Sequence, residues 1–462
     1  MSSRIFRCMA ATLFALSCLI MTGMESRPTS VTQTAPVLRP LMAMVGPVIA
    51  QPPPPTSAFC LSTFGIACYG PSDMRAEYDL NPLYAQGVTG AGQTIVIFDS
   101  FGSPTIQSDL HTFDVAFGLP DPPSFKVISP EGVPQLNYNN IGSPAFFHNK
   151  NIVTQIGWAY ETTLDVEWAH AIAPGANILL VTTPVAETEG VQGLQNIINA
   201  EQYVLANHLG NVFSQSFATT EQAFKGSSDQ QLLQKFDKTY QQAAAQGVSV
   251  FAASGDGGVA NADKQGNVFP FPTVGFPASD PNVTAVGGTQ INQPTPVITS
   301  YSAEEVWNDG FGAGGGGYSV VFARPSYQNG VVSNAMRGLP DIAYNAAVVS
   351  AVLVYESFDP TVSPGWALIG GTSAATPQWA ALAALADNYA ANKGKGPIGF
   401  LNPKLYMIGT NPIQYAADFH DITVGNNSFD GITGFSAVAG WDAASGWGTP
   451  DATHLIPDLV GP

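Results

Sequence analysis

Continuous apolar runs, each followed by a helix-length segment, constrain the fold of this chain more than any other feature. Thr94-Ile95-Val96-Ile97-Phe98 reads as a buried strand, and Gln107 to Phe117 as a helix after it. The alternation continues with a helix over Gly157 to Ala173, stopped by Pro174-Gly175, and a strand over Asn177 to Thr182. Helix Val191 to Asn207, strand Asn211 to Ser214, helix Asp229 to Gln246 and strand Val248 to Ala253 complete it. Strands apolar throughout need cover on both faces, so the pattern predicts a parallel α/β sheet flanked by helices. Ligands of such sheets gather beyond the carboxyl ends of the strands, where Asp99 and Asp256 fall. The Gly-, Pro- and Asn-rich segment 260–365 reads as long loops, and no internal repeat is present.

The chain has 462 residues and is 45% hydrophobic, enough for a sizeable core. Only 11% of residues are charged, and 34 acidic residues stand against 16 basic ones. Phosphate binding needs Lys and Arg, so this balance excludes a nucleic-acid partner. A net charge of −18 fits work in acid, where carboxyls are neutral and self-repulsion falls.

Arg4 and Arg7 precede the apolar stretch Met9 to Met21, the pattern of a secretory signal, expected over residues 1–26. Residues 27–57, ending in Gln51-Pro52-Pro53-Pro54-Pro55, read as a Pro-rich linker, and 58–462 as one large globular domain. No later stretch is long and apolar enough to span a membrane. Cys8 and Cys18 lie in the signal, while Cys60 and Cys68 are expected to form a disulfide in an exported, extracellular protein. A monomer is expected.

Ser373 lies in Gly370-Gly371-Thr372-Ser373-Ala374-Ala375-Thr376-Pro377, ahead of the Ala-rich helical run Gln378 to Ala391. A small-residue turn feeding a helix presents a hydroxyl to free backbone N–H groups, as a nucleophilic serine requires. Taken alone, the motif fits a helix cap as well. A serine needs a base, and none of His111, His148, His170, His208, His420 and His454 stands in a His-Gly-Thr context.

Carboxylates are the alternative. Glu161 and Asp165 are four apart in a helical pattern, hence on one face, and two close carboxyls cannot both ionise easily. One can act as a base and the other share its proton. A solvated acidic helix face has the same spacing. Asp256, in Ser254-Gly255-Asp256-Gly257, can donate to an oxyanion only when protonated, and an Asx turn is the competing reading.

In this order and spacing, Glu161/Asp165, Ser254 to Gly257 and Gly371 to Pro377 resemble the sedolisin family, the serine-carboxyl peptidases. The likeness runs from about residue 70 to 455. It is supported by Phe276-Pro277-Ala278-Ser279, Thr284 to Thr289, Gly315 to Ser319, Pro340-Asp341-Ile342 and Gly440-Trp441-Asp442. It implies a subtilisin-like fold, an exported endopeptidase of protein or peptide substrates, and acidic working pH. Ser373 is then the nucleophile, Glu161 the general base and acid, Asp165 its partner and Asp256 the oxyanion donor. Asp99 matches a position where some members carry a glutamate of the carboxyl network. The competing class is a catalytically inactive secreted homologue that serves as a binding or scaffold protein.

The resemblance also implies one structural calcium ion, with Asp421, Ile422, Val438, Gly440 and Asp442 at the ligand positions. Two carboxylates and backbone carbonyls suit a hard, oxygen-preferring cation. Val438 stands where the family usually has Gly, and Phe217-Ala218 replaces its usual aromatic-Gly pair. Members usually begin with a long folded propeptide, and the residues ahead of position 58 are too few and too linker-like to build one.

Overall fold

The structure is a computed structural model. It describes residues 39–40, 42–44, 49, 53–134, 150–184, 191–263, 266–292, 294–359 and 362–462. The expected signal, residues 1–26, lies outside them.

A mostly parallel sheet forms the centre. Its strands are β1 (Thr94–Ser100), β2 (Phe125–Ile128), β3 (Asn177–Thr183), β4 (Val212–Gln215), β5 (Ser249–Ala253), β6 (Thr284–Ile291), β7 (Glu304–Val306) and β8 (Ile342–Asn345). They lie in the order β7-β6-β5-β4-β1-β3-β2, with β8 also beside β6. All pairings are parallel except β6 with β7.

Successive side chains of a strand point to opposite faces, and the core divides accordingly. Ile95 and Ile97 of β1 join one buried cluster, and Val96 and Phe98 join another. The first cluster holds residues of α2 (Lys150–Ile172) and α5 (Thr372–Asn392), together with α1 (Ile106–Phe117). The second holds residues of α3 (Val191–Ala206) and α4 (Ser227–Ala245). Helices therefore cover both faces, which is why the strands are apolar throughout.

α4 is amphipathic, burying Leu232, Leu233, Phe236, Tyr240 and Ala243 on one side. α2 differs: every residue from Trp158 to Ala173 is buried. A helix enclosed all round carries whatever polar groups it has into the interior, and α2 carries Glu161, Asp165 and Glu167.

Two expectations change. Segment 260–365 contains long loops but also strands, including β6, β7, β8 and Gly317–Ala323. Its glycines permit close packing: a Cβ on Gly315 would lie 2.2 Å from the Ser254 carbonyl. Within the segment expected as a linker, Arg39–Pro40, Ala43–Met44 and Ile49 pair with strands of the globular body. The Cys60–Cys68 disulfide is present and joins the helix Ser57–Phe64 to the strand Ala67–Tyr69. No helix among the described residues is long and apolar enough to cross a membrane.

Candidate active site

α5 begins where strand Gly365–Gly370 ends. Gly371 turns the chain at φ 124°, a conformation that a Cβ disfavours. Ser373 is the second residue of the helix, in the turn whose N–H groups have no intrahelical partner. Pro377, four residues on, returns no N–H to the Ser373 carbonyl.

Ser373 is fully buried, and its hydroxyl donates to the Ser216 carbonyl at 3.2 Å. Ser216 directly follows β4, and its own hydroxyl donates to Asp165 Oδ1 at 2.7 Å. One residue therefore touches both the serine and the acid pair.

Glu161 and Asp165 lie a turn apart on α2, both wholly buried. Burial removes the solvated-face reading. It is also the main cause that pushes Glu161 well above the usual carboxyl range, followed by the nearby Asp165 charge. The Ser373 hydroxyl draws Glu161 back down, although its well-formed hydrogen bond goes to Ser216. Asp165 is raised by burial first and by Asp99 second, and lowered by the Ser216 hydroxyl. Neither Glu161 oxygen has a hydrogen-bond partner of good geometry, and neither does Asp165 Oδ2. Asp99, at the end of β1, is buried with them and is pushed up to about 7, chiefly by burial, with the Thr162 hydroxyl opposing.

Asp256 lies just beyond β5. Its Oδ1 accepts the Thr372 N–H and the Thr372 hydroxyl, each at 2.8 Å. Its Oδ2 is sealed from solvent without a partner. Burial pushes this carboxyl up to about 7 against the pull of both Thr372 bonds. Its charge also raises Glu161, which ties it electrostatically to the acid pair.

No described histidine hydrogen-bonds to this group. His170 shares α2 with the acid pair, but its Nε2 bonds the Pro120 carbonyl at 2.7 Å and lies 3.3 Å from Asp114. Burial lowers it to about 4, so it packs as a neutral ring. His111 pairs with Asp121 and His454 with Asp451, both at the surface. His420 stacks on Tyr301, His208 is exposed, and His148 lies outside the described residues.

The C-terminal group is also assembled. The Asp421 carboxylate accepts the Gly440 N–H at 3.1 Å and the Tyr415 hydroxyl at 2.8 Å. Asp442 accepts the Val438 N–H at 2.9 Å and those of Ala444 and Ser445. Among the described residues, no backbone N–H takes the carbonyls of Ile422, Val438 or Gly440. Gly440 has φ 80°, whereas Val438 has ordinary backbone, so valine is accommodated there. An all-oxygen donor set of this kind fits calcium.

Ser216 and Thr372 also carry the geometry, and the sequence alone does not mark them as site residues. Thr372 reads as a cap, and Ser216 has no local signature beyond following a strand.

The family model described as "Subtilase family" matches residues 148–403. Kumamolisin of Bacillus sp. (strain MN-32) is 30% identical over 369 residues, 78% of this chain and 57% of its own. Sedolisin of Pseudomonas sp. (strain 101) is 37% identical over 213 residues, 43% of this chain and 33% of its own. Tripeptidyl-peptidase 1 of Homo sapiens is 29% identical over 296 residues, 61% of this chain and 48% of its own. The chain spans about half the length of the curated relatives it matches. A solved structure of Pseudomonas sedolisin, a serine-carboxyl proteinase complexed with pseudo-iodotyrostatin, superposes with a TM-score of 0.67 at 29% identity. It covers 85% of this chain and 97% of that one. The chain therefore belongs to the subtilase family, in its sedolisin branch.

Proposed function

We propose that this chain is an exported serine-carboxyl endopeptidase that hydrolyses peptide bonds in acid. The observation that carries the reading is one group, buried Ser373, Glu161 and Asp165 with half-buried Asp256 beside them, with no described histidine bonded to it.

In this reading the Ser373 hydroxyl turns from the Ser216 carbonyl to Glu161, gives up its proton and attacks the substrate carbonyl carbon. Glu161 must be ionised for this step. Asp165, beside it, holds a proton and lets the pair carry one charge between them. The oxygen that gains charge accepts a hydrogen bond from protonated Asp256, whose free Oδ2 is the donor. Glu161 then passes its proton to the departing amine, and the acyl ester on Ser373 remains. Water, deprotonated by Glu161, hydrolyses that ester and restores the serine. Activity requires Asp256 to keep its proton, which limits the range on the alkaline side, and the Glu161/Asp165 pair to carry one charge between them.

Asp421, Asp442 and the carbonyls of Ile422, Val438 and Gly440 would hold a calcium ion. The ion would supply charge compensation between loops and take no part in bond cleavage. The disulfide and the signal-like residues 1–26 support export, with 58–462 as the peptidase domain.

The test is a pH–activity profile on unfolded protein for the parent, Glu161→Gln and Ser373→Ala. The parent is expected to turn over below about pH 5 and both variants to fail. Parent activity unchanged at pH 8 would remove the requirement for a protonated Asp256.

A further inference from the structure

Asp309 lies three residues beyond β7, in a loop to which the catalytic reading gives no role. Its side chain is half-buried, and both carboxyl oxygens are occupied. Oδ1 accepts the N–H groups of Phe311 and Gly312, at 2.9 and 3.3 Å. That much is an Asx turn, an ordinary device for closing a tight loop. Oδ2 reaches a different loop, just beyond β8, and accepts the N–H groups of Val348 and Val349 at 2.9 and 3.1 Å. Four backbone donors spread over two loops are more than a turn requires. Hydrogen bonds to an ionised acceptor are also about twice as strong as neutral ones.

Each loop is bonded onward to one of the catalytic groups. In the first, Gly312 packs so close to Asp256 that a Cβ there would lie 2.9 Å from the Asp256 carbonyl oxygen. The next residue, Ala313, donates its N–H to that same oxygen at 2.9 Å, and its carbonyl accepts the Gly258 N–H at 2.8 Å. In the second, the Ala346 carbonyl accepts the Gly371 N–H at 2.6 Å, at the turn that delivers Thr372 and Ser373. A Cβ on Gly370 would meet the same carbonyl at 2.7 Å and the Val348 nitrogen at 2.8 Å. The bonds from Thr372 to Asp256 Oδ1 close the circuit. The oxyanion donor and the start of the nucleophile's helix thus meet directly at Thr372, and again, by a second route, through Asp309.

We propose that Asp309 is a positioning residue for the peptidase reaction, one that fixes the loop of Asp256 against the loop that delivers Ser373. The proposal rests on the catalytic reading given above. Asp309 acts through backbone N–H groups on the distance between the attacking hydroxyl and the oxyanion donor. A misplacement of about 1 Å there can cost about a hundredfold in rate. Its charge works in the same sense. It raises the Asp256 carboxyl, adding to burial, so that the donor keeps its proton to higher pH. Among the described residues, the ionisable groups coupled to Asp256 by charge are Asp309 and Glu161 of α2. Thr372, which bonds to Asp256, carries no charge. A brace alone would set the geometry and leave the proton untouched.

The test measures kcat and KM against pH for the parent, Asp309→Asn, Asp309→Ser and Asp309→Glu, each checked for native circular dichroism. Asp309→Asn keeps the shape and one accepting oxygen but no charge. Its kcat should fall about tenfold with KM nearly unchanged. The alkaline limb of its kcat–pH profile should move down by about half a pH unit. Asp309→Ser, smaller and uncharged, should move the limb the same way, and Asp309→Glu should restore the parent limb. In an Asp256→Asn background no proton has to be kept, so there Asp309→Asn should leave the limb in place. Coincident alkaline limbs for the parent and both uncharged variants, or an equal displacement in the Asp256→Asn background, overturn the inference and leave the catalytic reading standing. A lowered Tm with kcat and limb unchanged does the same. A parent that turns over no substrate at any pH overturns both.

Discussion

Asp256 grips Thr372 with one carboxyl oxygen, through a backbone and a hydroxyl hydrogen bond of 2.8 Å each, and keeps its other oxygen without a partner. The first oxygen fixes the start of the helix that bears Ser373. The second is a donor only while the group is protonated, a condition met below its pKa of about 7.

Asp256→Ala should lower kcat about 10²–10³-fold, the usual effect of losing one oxyanion donor. Asp256→Asn should lose less, because its amide oxygen can accept from Thr372 while its NH₂ donates at any pH. Its kcat–pH profile should extend above that of the parent on the alkaline side. Coincident profiles for parent and Asp256→Asn would dissociate Asp256 from the alkaline limit.

Glu161→Gln should lower kcat about 10²–10⁴-fold with little change in KM, as expected for loss of a general base. Asp165→Asn leaves Glu161 without the neighbour that shares its proton. If the pair acts as a unit, Glu161→Gln/Asp165→Asn should be scarcely slower than Glu161→Gln alone. Multiplicative losses in the double variant would mean two independent roles.

Stability should fall between acid and neutral pH. Burial raises Asp99, Asp256, Asp280 and Glu304 to about 7, and Glu77, Asp114 and Glu356 to about 8. In an unfolded chain these carboxyls titrate near 4. Between those values the native state holds more protons than the unfolded one, so unfolding free energy drops as pH rises. The contribution is complete below about 4 and is lost as pH passes 7 to 8. His170, lowered to about 4, works the other way, losing stability as pH falls from about 6.5 toward 4. One imidazole is outweighed by seven carboxyls. Calorimetry should give a Tm at pH 5 at least about 5 °C above that at pH 8.

Calcium should raise Tm in proportion to the logarithm of its excess over Kd, by a free energy of about 2.7 kcal/mol at a hundredfold excess. Asp421→Ala should erase the shift, and a chelator should reverse it in the parent. Asp442→Ala is expected to lower Tm even without calcium, since Asp442 accepts three local backbone N–H groups. An equal calcium shift in Asp421→Ala would place the ion elsewhere.

The sheet was legible because each of its central strands is apolar on both faces, and Ile95 to Phe98 do divide between two cores. Glu161 and Asp165 were legible as a pair from their spacing, but their burial was not, since it depends on how the whole of α2 is enclosed. Strand β6 was hidden inside a Gly-rich stretch because its small residues serve close contacts, not side-chain packing. Gly288, for example, would meet Trp307 at 2.9 Å with a Cβ. The N-terminal ladder had a signal that composition masked. Val37 to Val48 is largely apolar and sits between polar and Pro-rich stretches, an odd choice for a solvated tether. Only the register shows that Arg39–Pro40 and Ala43–Met44 pair with strands of the globular body.

Ser216 has its carbonyl on Ser373 and its hydroxyl on Asp165, and it is rooted at the end of β4 in the middle of the sheet. Ser373 and the Glu161/Asp165 pair come from helices far apart in sequence, α5 and α2. A shared attachment to one strand end makes a drift of either helix felt by the other through two short links. The relative placement of the Ser373 hydroxyl and the Asp165 carboxyl is then referred to a single strand end in the middle of the sheet.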